Sequence, residues 1–198
     1  MNKTLQRNET REHLLATGEQ LCLQRGFTGM GLSEMLTQAE VPKGSFYHYF
    51  RSKEAFGVAL LERYFVHHLQ MIEQQLNQPG ATARERFLQH FRSAEQLFIE
   101  QGHIMGCLGV KLSAEVCDLS EPMRDALQHG ATTVINAYAR CLDDVAAEQP
   151  LLYGQSPKQL AQRCYLLWLG ASLQSKISRE PGPISLALET IEQWLTRH

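Results

Sequence analysis

Apolar side chains recur along most of this chain at the three- and four-residue spacing of an amphipathic helix. Four leucines form such a stripe in residues 10–25, with Thr10 as the predicted N-cap and Gly26 as the predicted stop. No run of alternating β-branched residues predicts a strand, and the sequence contains no internal repeat. The pattern therefore predicts an all-α protein.

Breaker and cap residues divide the rest of the chain into further helices. Two short helices are predicted at 33–39 and 45–50, on either side of a VPKG turn in which Pro42 has the backbone angle that opens a helix. Ser52 is the predicted cap of a long helix that ends at the NQPG breaker. The helices predicted after that breaker are 83–101, 104–115, 121–148, 157–178 and 184–196.

The two short helices have the proportions of a helix-turn-helix, whose second helix enters the major groove of DNA. Phe46, Tyr47, Tyr49 and Phe50 occupy more than half of that helix's circumference, so some of these rings must face outward. Lys43 and Lys53 flank these aromatic residues in the sequence. Tyr hydroxyls and Lys ammonium groups are common phosphate contacts. The alternative is a helical hairpin in which the aromatic residues are ordinary core.

Charge is unevenly distributed between the N-terminal segment and the rest of the chain. The net charge is −2, but residues 1–53 carry seven Lys and Arg against five Asp and Glu, whereas the remainder is acidic. A small basic module on an acidic body is a weak indication of nucleic-acid binding.

Candidate enzyme and metal chemistry is sparse in this sequence. The five cysteines are scattered and never form a CxxC pair, and HExxH, GxSxG and GxxxxGK[ST] motifs are absent. We therefore expect reduced thiols, no metal, no cofactor and no catalytic residues, hence no enzyme. The longest apolar run, YLLWLGASL, is too short to span a bilayer, and the N-terminus lacks an apolar signal region. The expected location is the cytoplasm, with no membrane partner.

The segment GFTGMGLSEMLTQAEVPKGSFYHYFRSKEAF resembles the TetR family of transcriptional repressors. The likeness consists of a Gly-Phe turn, a short helix, Val-x-Lys-Gly-Ser, an aromatic-rich helix and x-Ser-Lys at fixed spacing, and it covers roughly residues 10–60. It implies a TetR-like fold, with a three-helix DNA-binding domain at 1–52 and a helical sensing and dimerisation domain at 53–198. The implied partner is double-stranded operator DNA with a near-palindromic sequence.

The resemblance also implies which residues lie at or near DNA. The positions that match the family pattern there are Lys43, Gly44, Ser45, Tyr47, His48 and Lys53. Phe46 and Phe50 match its buried pair. Two residues depart from the pattern. Gly31 replaces a common Thr or Ser at the start of the second helix, and Glu40 replaces a usual turn glycine and must adopt that turn without glycine's freedom.

The body of the chain contains an unusual thiol. Cys107 falls on a largely apolar helical stripe with Leu108 and Leu112, which is how a buried structural cysteine would look. The flanking Gly106 and Gly109 weaken a helix but leave room for a reagent. The segments GCLGVKLSAEVCDLSEPMR and LWLGASLQSKISR resemble TetR-family regulators that respond to reactive electrophiles and chlorine oxidants. This likeness implies that Cys107 is a redox sensor.

A reactive thiol needs a nearby cation that favours the thiolate. Lys111 lies one turn beyond Cys107, and Lys176 interrupts an apolar stripe of the penultimate predicted helix. The resemblance favours Lys176, whose amine could condense with the oxidised sulfur of Cys107. Cys117, at a predicted helix end before the cap Ser120, is an auxiliary thiol. Core packing is predicted for the remaining cysteines, which are Cys22, Cys141 and Cys164.

The last two long helices carry more apolar surface than one internal face needs. Leu166, Leu167, Trp168 and Leu169 make the helix at 157–178 apolar nearly all round, and a stripe from Ile184 to Leu195 follows. In the TetR family these two helices form the homodimer seam. Two other functions remain open. One is a repressor induced by reversible binding of an apolar small molecule, with Cys107 inert. The other is a thiol enzyme with His103 as base, which lacks evident oxyanion donors.

Overall fold

The structure, a computed structural model, describes residues 3–101, 108–148, 150–151 and 155–195. The regular elements in these ranges are all helical, which confirms the all-α prediction. In chain order they are α1 (Lys3–Gly29), α2 (Leu32–Gln38), α3 (Lys43–Phe46), α4 (Lys53–Leu76), α5 (Ala83–Gln101), α6 (Leu108–Val116), α7 (Glu121–Glu148), α8 (Pro157–Ser178) and α9 (Gly182–Leu195).

Helix α1 differs from its prediction at one end and agrees at the other. It begins at Lys3, so the predicted N-cap at Thr10 is wrong. The preceding TLQRNE segment contains no helix breaker, and the helix therefore extends through it. Gly26 does interrupt the helix, with φ 79° and ψ 173°, a conformation that side chains with a Cβ atom rarely adopt. The residues that follow Gly26 form a short final piece of α1.

Caps account for several of the other helix ends. The Ser52 hydroxyl accepts a 3.0 Å hydrogen bond from the Ala55 amide, which confirms Ser52 as the cap of α4. The Ser120 hydroxyl accepts one of 3.3 Å from the Met123 amide at the start of α7. Helix α3 is shorter than the predicted 45–50, because after Phe46 the chain tightens into turns in which the Tyr49 amide bonds the Phe46 carbonyl at 2.9 Å.

The chain forms two units. The first comprises residues 1–66 and 106–130, so α6 and the start of α7 pack with the N-terminal helices. In this unit α6 lies along α1, and α2 packs against both α1 and α3. Its fully buried side chains include Leu14, Leu15, Met30, Phe46, Phe56, Leu60 and Leu61. The boundary after residue 52 remains a prediction about functional domains.

The second unit comprises residues 67–105 and 131–198. Here α9 packs against α8 and α5. The α5–α9 contact includes the ion pair of Arg92 with Glu192, and Arg84 Nε donates a 2.8 Å hydrogen bond to the Leu195 carbonyl. Among the described helices, none has the length and apolar character that crossing a bilayer would require.

Candidate functional site

The helix-turn-helix segment separates its side chains into a buried set and an exposed set. Phe46 is fully buried and Phe50 nearly so, which confirms the predicted buried pair. Tyr47 is 51% exposed. The other DNA candidates carried over from the family pattern are exposed or half-buried, namely Lys43, Gly44, Ser45, His48 and Lys53. The structure therefore presents these residues on the surface of one short segment.

An aromatic cluster explains how so short a helix keeps its orientation. The Phe46 ring lies 5.3 Å from the Phe50 ring and 5.7 Å from the Phe56 ring, measured between centroids, and Phe50 meets Phe56 edge-on at 5.0 Å. These contacts tie the recognition segment to the first turns of α4. The backbone of Gly44 is left open, since a Cβ atom there would have no described heavy atom within 4 Å.

Three cations surround this segment, and two of them were not predicted from the sequence. Lys53 Nζ lies 4.9 Å from the Phe27 ring centroid, so a cation–π contact holds this predicted phosphate ligand in place. Arg11 Cζ lies 5.4 Å from the Phe50 ring centroid, and Arg7 Nη2 lies 3.5 Å from the His48 carbonyl oxygen. Arg7 and Arg11 are four residues apart on α1, and this spacing was the available signal.

The two departures from the family pattern have structural consequences. Glu40 has φ 54°, in the left-handed region where glycine is favoured, as expected of a residue that replaces a turn glycine. Gly31 is the N-cap of α2 and offers no side-chain hydrogen bond there. The turn between α2 and α3 therefore forms without its usual glycine, and α2 begins without a hydroxyl cap.

Three of the cysteines lie in the core, as predicted. Burial raises the pKa of Cys22 to about 12, of Cys141 to about 11 and of Cys164 to about 12. At neutral pH these groups are thiols, the unreactive form. Cys117 is half-buried just after the end of α6. Cys107 lies outside the described residues, as does His103.

The two candidate cations for Cys107 have different surroundings. Lys111, on α6, is half-buried, and its ammonium group donates a hydrogen bond to the Leu23 carbonyl of α1. Lys176, near the end of α8, has an exposed side chain. Gly109, which was predicted to clear space beside the thiol, faces the Phe65 ring, because a Cβ atom on it would lie 3.7 Å from that ring.

A buried polar group that the sequence did not reveal lies in the second unit. One ring nitrogen of His90, Nδ1, lies 2.6 Å from Gln75 Oε1, and the other, Nε2, lies 2.8 Å from the Tyr138 hydroxyl. Burial, with a smaller contribution from the charge of His68, lowers the pKa of His90 to about 3, so the ring is neutral. The rings of Phe87 and Phe91 pack against the Tyr138 ring of this group, and the Trp168 ring lies against Phe91. Because both ring nitrogens are bonded, the arrangement is that of a satisfied core histidine.

The apolar surface of the last two helices divides in a way the sequence pattern did not predict. The α9 stripe assigned to a partner is buried within the chain, where Ile184 and Ile191 are fully covered. The surplus apolar surface consists instead of large side chains that point away from the core of the second unit. On α8 and α9 these exposed side chains are Leu166, Leu173, Ile177 and Leu186.

Two family models and several known proteins match this chain. Residues 14–60 match the family model of bacterial regulatory proteins of the tetR family, and residues 83–191 match that of the tetracyclin repressor-like C-terminal domain. The chain is 54% identical to the HTH-type transcriptional repressor NemR of Escherichia coli K12, over 97% of this chain and 96% of that protein. It is 31% identical to the transcriptional regulator AcuR of Cereibacter sphaeroides, over 87% of this chain and 79% of AcuR.

A solved structure has the same fold as this chain. The crystal structure of the reduced form of E. coli NemR superposes with a TM-score of 0.87, covering 93% of this chain and 96% of that chain. The resemblance drawn from the N-terminal motif is therefore confirmed along nearly the whole chain. With its helix-turn-helix surface and its matching N- and C-terminal regions, this chain belongs to the TetR family of transcriptional regulators.

Proposed function

We propose that this chain is a homodimeric repressor that releases its operator when Cys107 is oxidised or alkylated. TetR-family repressors bind operator DNA and typically dimerise. The proposal adds the inducer, a reactive electrophile or chlorine oxidant, and the residue that detects it. A repressor of this kind acts where the chromosome is, which makes the cytoplasm its place of action.

The state of the other thiols is the observation that carries the proposal. Cys22, Cys141 and Cys164 are buried, and their raised pKa values keep them in the unreactive thiol form. Thiol chemistry is thus left to the two cysteines that flank α6, Cys107 before it and Cys117 after it. Cys107 is the sensor in this proposal, and Cys117 is auxiliary.

A lysine amine completes the proposed oxidation chemistry. Hypochlorous acid takes two electrons from the Cys107 thiolate, and the sulfur becomes a sulfenic acid while chloride leaves. Attack by a lysine amine on that sulfur forms a sulfur–nitrogen bond and releases water, so the protein loses two hydrogen atoms overall. We assign the amine to Lys176. Lys111 is the less suitable candidate, since its ammonium group already donates to the Leu23 carbonyl.

Apolar surface supports the dimer. Leu166, Leu173 and Ile177 form one exposed stripe on α8, and Leu186 is exposed on α9. Exposed patches of large aliphatic side chains on a helix usually mark an association surface. A two-fold dimer would present two recognition segments to a near-palindromic operator, about 34–36 Å apart or somewhat more.

Intact-mass spectrometry with peptide mapping tests the sensor assignment. The reduced protein is treated with one equivalent of N-ethylmaleimide or with mild hypochlorite. The alkylating agent should add once, at Cys107, and hypochlorite should remove two hydrogen atoms in a product that links Cys107 to Lys176. Cys164→Ser is the matched control, and it should react like the wild type.

A protein that takes up no label at Cys107 would contradict the proposal. That result would instead support a repressor induced by reversible binding of an apolar small molecule. A link that forms to Lys111 would retain the sensor but overturn the assignment of Lys176.

A further inference from the structure

The break in α1 at Gly26 exposes backbone groups that need partners. The chain leaves the helix at Gly26, so the amides of Phe27 and Thr28 lack the carbonyl acceptors of a continuous helix. Successive free N–H groups of this kind form a cradle for an anion. These residues lead directly into α2, the first helix of the helix-turn-helix.

A carboxylate from the other part of the first unit fills this cradle. Glu115 of α6 accepts a 3.0 Å hydrogen bond from the Phe27 amide and further bonds from the amide and hydroxyl of Thr28. The absence of a Cβ atom at Gly26 allows this approach, since such an atom would lie 2.5 Å from Glu115 Oε2. Desolvation acts to raise the pKa of Glu115, but the bonds from Thr28 and Phe27 and the charge of Lys111 outweigh it and lower the pKa.

A second side chain of α6 binds the opposite side of the break. Lys111, one turn before Glu115, donates to the carbonyl of Leu23, which precedes Gly26. A cation thus meets the carbonyl end of the main part of α1, and an anion meets the amide end of the piece that follows. The cation faces a backbone carbonyl and the anion faces backbone amides, so each charge is favourable where it lies. Two residues of α6 therefore fix the angle at which α1 turns toward α2.

The bonded segment reaches the DNA-facing surface through Phe27. Its ring lies 4.9 Å from Lys53 Nζ and packs on Gly57 of α4, where a Cβ atom would lie 2.7 Å from the ring. Close by, Arg25 binds Glu34 of α2 at 2.6 Å. Movement of the Glu115 cradle would therefore move both α2 and Lys53.

We propose that Glu115 is a positioning residue for operator binding, which holds the α1–α2 junction and through it the recognition segment in the DNA-competent arrangement. Cys107 directly precedes α6 in the sequence. If the proposed function is correct, these bonds are also a route by which modification at the start of α6 reaches the DNA-binding helices.

The test measures operator binding by the reduced protein, without oxidant. The probe is a duplex selected from a random library by the wild-type protein, with a scrambled duplex for non-specific binding, both read by fluorescence anisotropy at low temperature. Glu115→Gln keeps the shape of the side chain but loses its charge. It should weaken binding to the selected duplex about tenfold and leave the scrambled duplex within about twofold, since non-specific binding depends on phosphate contacts.

A double-mutant cycle separates positioning from general stability. Thr28→Val should weaken specific binding, Thr28→Ser should restore it, and the double variant Thr28→Val with Glu115→Gln should bind no worse than Glu115→Gln alone. The matched control is Glu121→Gln, an exposed carboxylate at the start of α7, and it should match the wild type.

Two outcomes would overturn the proposal. One is a specific-to-scrambled ratio that stays at the wild-type value in Glu115→Gln while its melting temperature falls, since that is a purely structural effect. The other is strict additivity in the cycle. If Glu115→Gln does not fold, Thr28→Val and Thr28→Ser, which alter an exposed side chain, still decide the question. Because no oxidant is used, failure here is distinct from failure of the Cys107 sensor. A failed sensor would appear as a wild-type protein that keeps the same duplex bound after N-ethylmaleimide treatment.

Discussion

Replacing Ile177 with glutamate should dissociate the proposed dimer. Ile177 is 67% exposed near the end of α8, on the same face as Leu166 and Leu173. A charge at this position would be buried without a partner in any interface that uses this face. The chain's own core would hardly be affected, since the side chain contributes little to it. The substitution therefore tests association separately from folding.

The size of the effect follows from the exposed fraction. Full burial of an isoleucine side chain is worth about 1.5–3 kcal/mol, and two-thirds of Ile177 is still available for burial, so each copy contributes roughly 1–2 kcal/mol to association. Two-fold symmetry doubles this contribution, which corresponds to a roughly 30- to 1,000-fold weaker dimer. The desolvation of glutamate adds to that loss, so this range is a lower bound.

Sedimentation velocity over a micromolar concentration series measures the change. The wild type should sediment as a dimer throughout, and Ile177→Glu should sediment as a monomer over most of the range. Ile99→Glu is the matched control, because Ile99 is 60% exposed on α5 and lies outside the α8–α9 surface. A variant at Ile177 that keeps the wild-type dimerisation constant would refute the assignment of this face.

Two further predictions concern the DNA surface and the buried histidine. Lys53→Ala should weaken binding to specific and scrambled duplexes alike and reduce the slope of log affinity against log salt by about one. Tyr47→Ala should weaken binding to both duplexes, and the control Lys158→Ala on α8 should bind both as the wild type does. Unaltered binding in Lys53→Ala and Tyr47→Ala would mean that this segment does not face DNA. His90 is neutral in the folded chain, because its pKa is lowered to about 3, but it takes up a proton near pH 6.5 in the unfolded chain. Its contribution should therefore lower the free energy of unfolding by about 1.4 kcal/mol for each pH unit as the pH falls from 6 to 4. Urea unfolding at a series of pH values should show a shallower dependence in His90→Gln, and parallel curves for variant and wild type would contradict the assignment.

The sequence predicted those features that depend on neighbouring residues. Ser52 caps α4 and Gly26 interrupts α1 because caps and glycine stops act within one helical turn. The burial of Phe46 and Phe50 was implied by the family pattern, whereas helical spacing alone indicated only that some of the four aromatic rings face outward. The start of α1 was misplaced because a polar segment without a breaker carries no local signal that distinguishes helix from coil.

The contacts of Glu115 could not be predicted in this way. Its partners Phe27 and Thr28 lie 88 and 87 residues earlier in the chain, and nothing in the local sequence indicates that the tertiary fold brings them together. The same limit applies to the final stripe on α9. Helical spacing identified its apolar face, but only the packing against α5 and α8 shows that this face is covered within the chain.

Release of DNA by thiol modification is the central claim, and one titration tests it most directly. The wild type and Cys107→Ser, both reduced and bound to the selected duplex, are titrated with N-ethylmaleimide while anisotropy reports the bound fraction. The wild type should release the duplex as one equivalent reacts, and Cys107→Ser should bind with wild-type affinity and stay bound. Release from Cys107→Ser at the wild-type dose, or retention by a wild-type protein fully labelled at Cys107, would contradict the account.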